Sequence, residues 1–162
     1  MKTILLWGIV LIVSVILYLS VRRIRRNKAL LVMQTASQKV VNQALKASLV
    51  KVITTEFKGS YYPNAIETEL ISDVWGKGVM AFEYELPLQV TTINDLKAIK
   101  LELTNHLNDY AQQQQLQGYQ GHDIFVVSDI WILKGILHLD ISYVVNQATL
   151  SYLNDINKLE ID

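Results

Sequence analysis

The sequence predicts an α+β protein in which an N-terminal transmembrane helix leads into an antiparallel sheet domain. Three patterns predict this fold: an uncharged apolar run over residues 3–21, alternating apolar and polar residues over 79–88, and two pairs of β-rich segments separated by a helical stretch. Antiparallel hairpins that alternate with helices are typical of a two-layer α+β sandwich. We therefore expect an anchor, an amphipathic stalk helix, and a β-β-α-β-β two-layer sandwich with a short C-terminal helix. In this sandwich the helices would lie on one face of a four-stranded sheet.

The predicted transmembrane helix is the run TILLWGIVLIVSVILYLSV, in which thirteen of nineteen residues are Ile, Leu or Val. At about 1.5 Å per residue it would be roughly 28 Å long, close to the ~30 Å of a bilayer core. Its aliphatic residues favour insertion by about 4–8 kcal/mol. A soluble helix would need a polar face, and the ending LYLSVRR lacks the small residues of a signal-peptide cleavage site. We therefore expect an uncleaved anchor.

Basic residues after the apolar run set its predicted orientation. They are Arg22, Arg23, Arg25, Arg26 and Lys28, whereas only Lys2 precedes the run. The positive-inside rule then places the N-terminus outside and the C-terminal domain in the cytoplasm of a single-pass cell-membrane protein. The bilayer is thus the first predicted partner.

The composition of the rest of the chain excludes several functions. Residues 29–162 contain nine lysines, fifteen acids and no arginine, a net charge of −6. This balance opposes nucleic-acid binding, which depends on neutralising phosphates, and removes the usual side chain for bidentate phosphate capture. The absence of cysteine excludes disulfides and thiolate chemistry. Since no nucleotide-binding loop or hydrolase motif is present either, we expect no cofactor.

Residues 29–57 predict an amphipathic helix, because apolar side chains recur near the 3.6-residue period. Its apolar stripe has two interpretations. We favour packing on the protein's own domain, and the alternative is a surface for a protein partner or a second copy of the chain. The predicted organisation is an anchor at 1–21, a basic flank and helix at 22–58, and a cytoplasmic domain at 59–162.

A first hairpin is predicted from strands at 66–75 and 79–88. In the second strand, Ala81, Glu83 and Glu85 alternate with apolar residues, which indicates one wet face. We interpret the two glutamates as an exposed face or as protection of a sheet edge. The apolar face comprises Met80, Phe82, Tyr84, Leu86 and Leu88.

A helix over 93–117 and a second hairpin follow. The helix carries apolar residues at helical spacing: Ile93, Leu96, Ile99, Leu103, Leu107 and Tyr110. The hairpin joins 122–133 to 136–145 through Lys134-Gly135. Asn146 is then the predicted N-cap of a short last helix.

The candidate polar cluster is Asp129, His138 and Asp140, with His122-Asp123 as a second His/Asp grouping. Pairing of the last two strands would bring Asp129 near His138 or Asp140 across the ladder. A histidine with two carboxylates can bind a divalent metal or act as a general acid–base pair. The favoured interpretation, however, is a wet sheet face with ordinary polar residues, and we predict no metal site and no catalytic residue.

We therefore expect a non-enzymatic, membrane-anchored accessory or interaction subunit of a membrane-associated assembly. The order of its elements resembles that of small anchored subunits of bacterial conjugation and secretion machines, an analogy without a shared motif. One alternative is a membrane-tethered, hydrolase-like enzyme that uses the His/Asp cluster. Another is a module that binds lipid or a small ligand.

Overall fold

The computed structural model describes residues 2–56, 67–70, 76, 78–86 and 93–159, without the side chains at 2–6, 9, 10, 53–56, 67–70, 93–95 and 159. An α+β fold with a long N-terminal helix is confirmed. The elements are α1 (Lys2–Glu56), β1 (Glu67–Leu70), β2 (Ala81–Leu86), α2 (Ile93–Gln113), a 3-10 turn (Tyr119–Gly121), β3 (Phe125–Leu133), β4 (Ile136–Tyr143) and α3 (Gln147–Leu159).

The chain divides into two compact units, Met1–Thr35 and Ala36–Asp162. The first unit is a single stretch of α1, in which every side chain from 11 to 29 is exposed. Among the described residues, no helix has both the length and the apolar character that crossing a membrane requires. The predicted span of 3–21 includes residues 3–6, 9 and 10, whose side chains lie outside the described part.

The second unit contains an antiparallel sheet with the strand order β1-β2-β4-β3. The strand pairs of both predicted hairpins are present, with β1 paired to β2 and β3 paired to β4. Residues 66, 71–75, 87 and 88 of the predicted first hairpin lie outside the described part of the chain. The turn between β3 and β4 has positive φ at Lys134 (52°) and Gly135 (81°), the pair of conformations that a two-residue type I′ turn needs. The long-range pairing of β2 with β4 makes these two strands central.

One face of the sheet forms the main core with α1 and α2. The predicted apolar side of β2 is fully buried at Met80, Phe82, Tyr84 and Leu86. The Tyr84 hydroxyl donates a hydrogen bond to Asn42 Oδ1 at 2.7 Å, which ties β2 to α1. The predicted packing of the stalk helix on its own domain is thus observed between residues 41 and 52. The helical side chains in this core are Val41, Ala44, Leu45, Leu49, Val52, Ile99, Leu103 and Leu107.

Helix α3 packs on the opposite face of the sheet, so the prediction of helices on one face only was wrong. Ala81 alternates with the core residues of β2 and therefore points to this second face, where it is fully buried rather than wet. A short apolar side chain leaves room for a helix to approach. The second cluster comprises Val79, Ala81, Val144, Leu150, Tyr152 and Leu153.

Replacing Asn146 with alanine is expected to destabilise the second unit. Asn146 Oδ1 accepts a hydrogen bond from the Thr149 backbone N–H at 2.8 Å, as the predicted cap does, and Asn146 Nδ2 donates to the Gly78 carbonyl at 2.9 Å. Losing the cap costs about 1 kcal/mol, and an unpaired carbonyl costs about 1–3 kcal/mol more if it stays dry. Urea denaturation of the purified chain measures the total loss in free energy of unfolding. Asn146→Asp keeps the cap acceptor and should lose less, and equal losses in the two variants would contradict this assignment.

Candidate functional site

The part of the second face that lies beyond α3 carries two rows of polar and aromatic residues. Because cross-strand partners share a face, the register of β2, β4 and β3 defines both rows. The first row is Glu85, His138 and Trp131, and the second row is Glu83, Asp140 and Asp129.

His138 is the centre of this surface. Its Nδ1 lies 3.1 Å from Glu83 Oε1 and 3.8 Å from Glu85 Oε1, although its side chain is only 6% exposed. The imidazole also stacks on Trp131, with ring centroids 5.2 Å apart and planes 15° from parallel. The ring is therefore fixed in plane by the indole, with one nitrogen directed at two carboxylates.

The side chains of Glu83, Glu85 and His138 place possible metal-ligand atoms close together. One imidazole nitrogen and one oxygen from each of Glu83 and Glu85 all lie within 4.8 Å of one another. Without a metal, Nδ1–H donates a hydrogen bond to Glu83 and the cluster is an ordinary His–carboxylate pair. With the proton removed, the same nitrogen can ligate a divalent cation.

Asp140 is a second unusual group beside this trio. Its residue is 9% exposed, and no described residue gives its Oδ1 a hydrogen bond. Burial, followed by the negative charges of Glu83 and Asp129, raises the pKa of Asp140 to about 7. Burial, followed by the negative charges of Asp140 and Asp129, likewise raises the pKa of Tyr152 to about 12. Both groups therefore lie in surroundings that disfavour a further negative charge.

The structure brings Asp129 opposite Asp140, as the predicted strand pairing requires, and places His138 in the neighbouring row. A register shift between Val127 and Asp129 places Asp129 opposite Asp140, whereas the partner of His138 is Trp131. Asp129 is exposed, and its Oδ1 accepts a hydrogen bond from the Ile130 backbone N–H at 2.7 Å. The interpretation as a wet face was wrong for His138 and Asp140, because both are buried.

Sequence reasoning missed the link between the glutamates of β2 and His138. The pair Glu83–His138 is separated by 55 residues, and only the pairing of β2 with β4 brings it together. The interpretation of Glu83 and Glu85 as protection of a sheet edge was also wrong, because β2 has a paired strand on each side. The alternation in β2 did place both glutamates on the correct face.

The other histidine groups have weaker surroundings. His122 and Asp123 are exposed at the rim of an open pocket of about 230 Å³ between the end of α2 and the start of β3. His106 lies 3.7 Å from Glu102 and 3.8 Å from Asp109, all on α2. Neither group combines a buried histidine with carboxylates from a neighbouring strand.

No protein-family model, no curated protein and no solved structure matches this chain. A role for any residue therefore has to follow from its own contacts, burial and charge.

Replacing Asp140 with asparagine is expected to stabilise the protein at alkaline pH and to have little effect at acidic pH. The folded carboxyl titrates near 7 against an ordinary value of 3.8, so the unfolded chain binds fewer protons between these values. Wild-type stability should therefore fall as pH rises from about 4 to about 7 and stay level above that range. Asparagine removes this dependence.

The measurement is thermal unfolding of both proteins at about pH 5 and about pH 8 with a chelator present. The gain in Tm from Asp140→Asn should be several degrees larger at the higher pH. Asp123→Asn is the matched control, because this carboxylate is exposed and is not among the charges that raise the pKa of Asp140. An equal Tm difference at both pH values would contradict the raised pKa.

Proposed function

We propose that this chain is a single-pass, membrane-anchored, non-catalytic accessory subunit of a membrane-associated assembly. The observation that carries the proposal is the exposure of large apolar side chains along the first unit of α1. Trp7 is 73% exposed and Tyr18 is 65% exposed, and the side chains between 11 and 21 show no buried face. Within residues 7–21, the exposed large apolar residues are Trp7, Leu11, Ile12, Val13, Val15, Ile16, Leu17, Tyr18, Leu19 and Val21.

An apolar surface of this extent needs an apolar partner, and a bilayer is the partner that covers a helix on all sides. Aromatic residues near both ends of the run suit the two interfaces. The proposed membrane helix also includes residues 3–6, 9 and 10, whose side chains lie outside the described part of the chain. The absence of a spanning helix concerns the described residues alone. The exposed arginines at 22, 23, 25 and 26, together with Lys28, support a cytoplasmic location for the domain.

A role as a subunit is supported by apolar side chains that follow the basic flank. Leu31 is 62% exposed and Val32 is 69% exposed, with Met33 beside them. The buried part of the same helix, from 41 to 52, is already occupied by the domain core. We propose that residues 31–33 contact another membrane-associated protein or a second copy of the chain. Transfer and secretion machines are assemblies of this kind.

Site-specific photocrosslinking in intact cells tests the subunit role. A photoreactive amino acid at Leu31 or Val32 should form an adduct of one reproducible size, and the same protein should co-purify in detergent. The matched control is Lys46, an exposed position on the same helix. An adduct with a second copy supports self-association. A chain that forms no adduct at 31 or 32, or the same adducts at 46, would contradict the proposal.

A further inference from the structure

We propose that Glu83, Glu85 and His138 form a binding site for one divalent transition-metal ion, with Zn²⁺ as the ion that suits this donor set. The site uses a central strand pair, β2 and β4, rather than the anchor. It therefore stands independently of how the protein meets a membrane.

The geometry of the donors fits a single ion. Two ligand atoms at about 2.1 Å from a tetrahedral centre are roughly 3.4 Å apart. The separations from His138 Nδ1 are 3.1 Å to Glu83 Oε1 and 3.8 Å to Glu85 Oε1, which bracket that value. Because the three residues lie on two hydrogen-bonded strands, their backbones are already placed, and the adjustment falls to the side chains.

Asp140, in the neighbouring row of the same face, is a further group that a nearby cation would stabilise. It is nine-tenths buried, its Oδ1 receives no hydrogen bond from the described residues, and it lies directly opposite Glu83 on the same face. Burial disfavours the charged form of this carboxyl group unless a positive charge lies nearby. No lysine or arginine of the described chain forms an ion pair with Glu83, Glu85 or Asp140. A divalent ion bound by the trio would place a positive charge beside Asp140.

The choice of metal follows from the ligands. Imidazole nitrogen is a ligand of Zn²⁺ and its transition-metal neighbours, whereas Mg²⁺ and Ca²⁺ are usually held by oxygen alone. Trp131 stacks on the imidazole and holds it in place, as neighbouring groups hold the ligands of known metal sites. Three protein ligands leave a fourth position for water or for a group from outside.

Isothermal titration of the full chain in detergent with ZnCl₂ tests the site directly. We expect one ion bound per chain. Glu85→Gln should weaken binding at least about tenfold, because changes even outside the ligand set cost metal sites 10- to 100-fold. Glu85 is half exposed, so this variant leaves the core intact. His138→Gln should abolish saturable binding, with circular dichroism as the check on folding.

Glu102→Gln is the matched control, since Glu102 is a partly exposed glutamate 3.7 Å from a different histidine. It should bind like the wild type. A second readout is the fluorescence of Trp131 in a Trp7→Phe and Trp75→Phe background, where it is the sole tryptophan. Co²⁺ should quench this fluorescence in a saturable way. Glu85→Gln should raise the Co²⁺ concentration that is needed. If the wild type binds no metal at about 1 mM, its binding free energy is weaker than about −4 kcal/mol, and this result would overturn the proposal. Unchanged affinity in both Glu85→Gln and His138→Gln would overturn it as well.

Discussion

Replacing Leu11 and Val15 together with aspartate is expected to move the protein from the membrane fraction to the soluble fraction. Both side chains are exposed and lie near the middle of the apolar run. An aspartate at the centre of a spanning helix costs roughly 2.5–3.5 kcal/mol, so two cost about 5–7 kcal/mol. That cost cancels the roughly 4–8 kcal/mol by which the aliphatic residues of the run favour insertion.

Extraction of membranes with alkaline carbonate measures the change, with wild type retained and the double variant released. The matched control is Leu31→Asp with Val32→Asp, which makes the same substitutions at exposed positions of α1 beyond the arginines. This control should remain in the membrane. Retention of the Leu11 and Val15 variant, or equal release of the control, would count against an anchor at 3–21.

Phe82→Ala is expected to cause a large loss of stability in the sheet domain. Phe82 is fully buried in β2 and belongs to the same core cluster as the helical side chains and its β4 partner Ile141. Truncating a buried phenylalanine costs about 3–5 kcal/mol, a large part of the roughly 5–15 kcal/mol that holds a domain folded. Because Glu83 is the next residue, the hydrogen bond between Glu83 and His138 should be weakened as well.

Urea denaturation followed by circular dichroism gives the free energy of unfolding for this comparison. Leu101→Ala on α2 is the control, because Leu101 is 62% exposed and its truncation should change stability by less than about 0.5 kcal/mol. Similar losses in the two variants would contradict the assignment of Phe82 to the core.

Local patterns were sufficient to predict most of the elements. Alternation in β2 identified its buried face at Phe82 and Tyr84, and helical spacing identified Leu103 and Leu107 as core residues of α2. These signals work because side-chain direction within an element depends only on the local period. The turn at Lys134-Gly135 and the cap at Asn146 were predictable for a similar reason, since each depends on a few adjacent residues.

Contacts between distant segments were not predictable in this way. Nothing in the sequence around Glu83 or His138 indicates that β2 pairs with β4, and the candidate site depends on that pairing. The side of the sheet covered by α3 depends on which face has small residues such as Ala81. The burial of Asp140 depends on the pairing of β2 with β4 and on the position of α3. The alternation within its own strand therefore predicted an exposed residue where the structure has a buried one.

Labelling of a single introduced cysteine tests the central claim, a membrane-anchored protein with its sheet domain in the cytoplasm. The chain contains no cysteine, and Gln114 is an exposed position after α2, so Gln114→Cys supplies one defined target. A membrane-impermeant maleimide is applied to intact and to permeabilised cells, and the membranes are then washed with carbonate. The account predicts labelling only after permeabilisation, in protein that stays with the membrane. Labelling in intact cells, or recovery of the labelled protein in the carbonate wash, would contradict it.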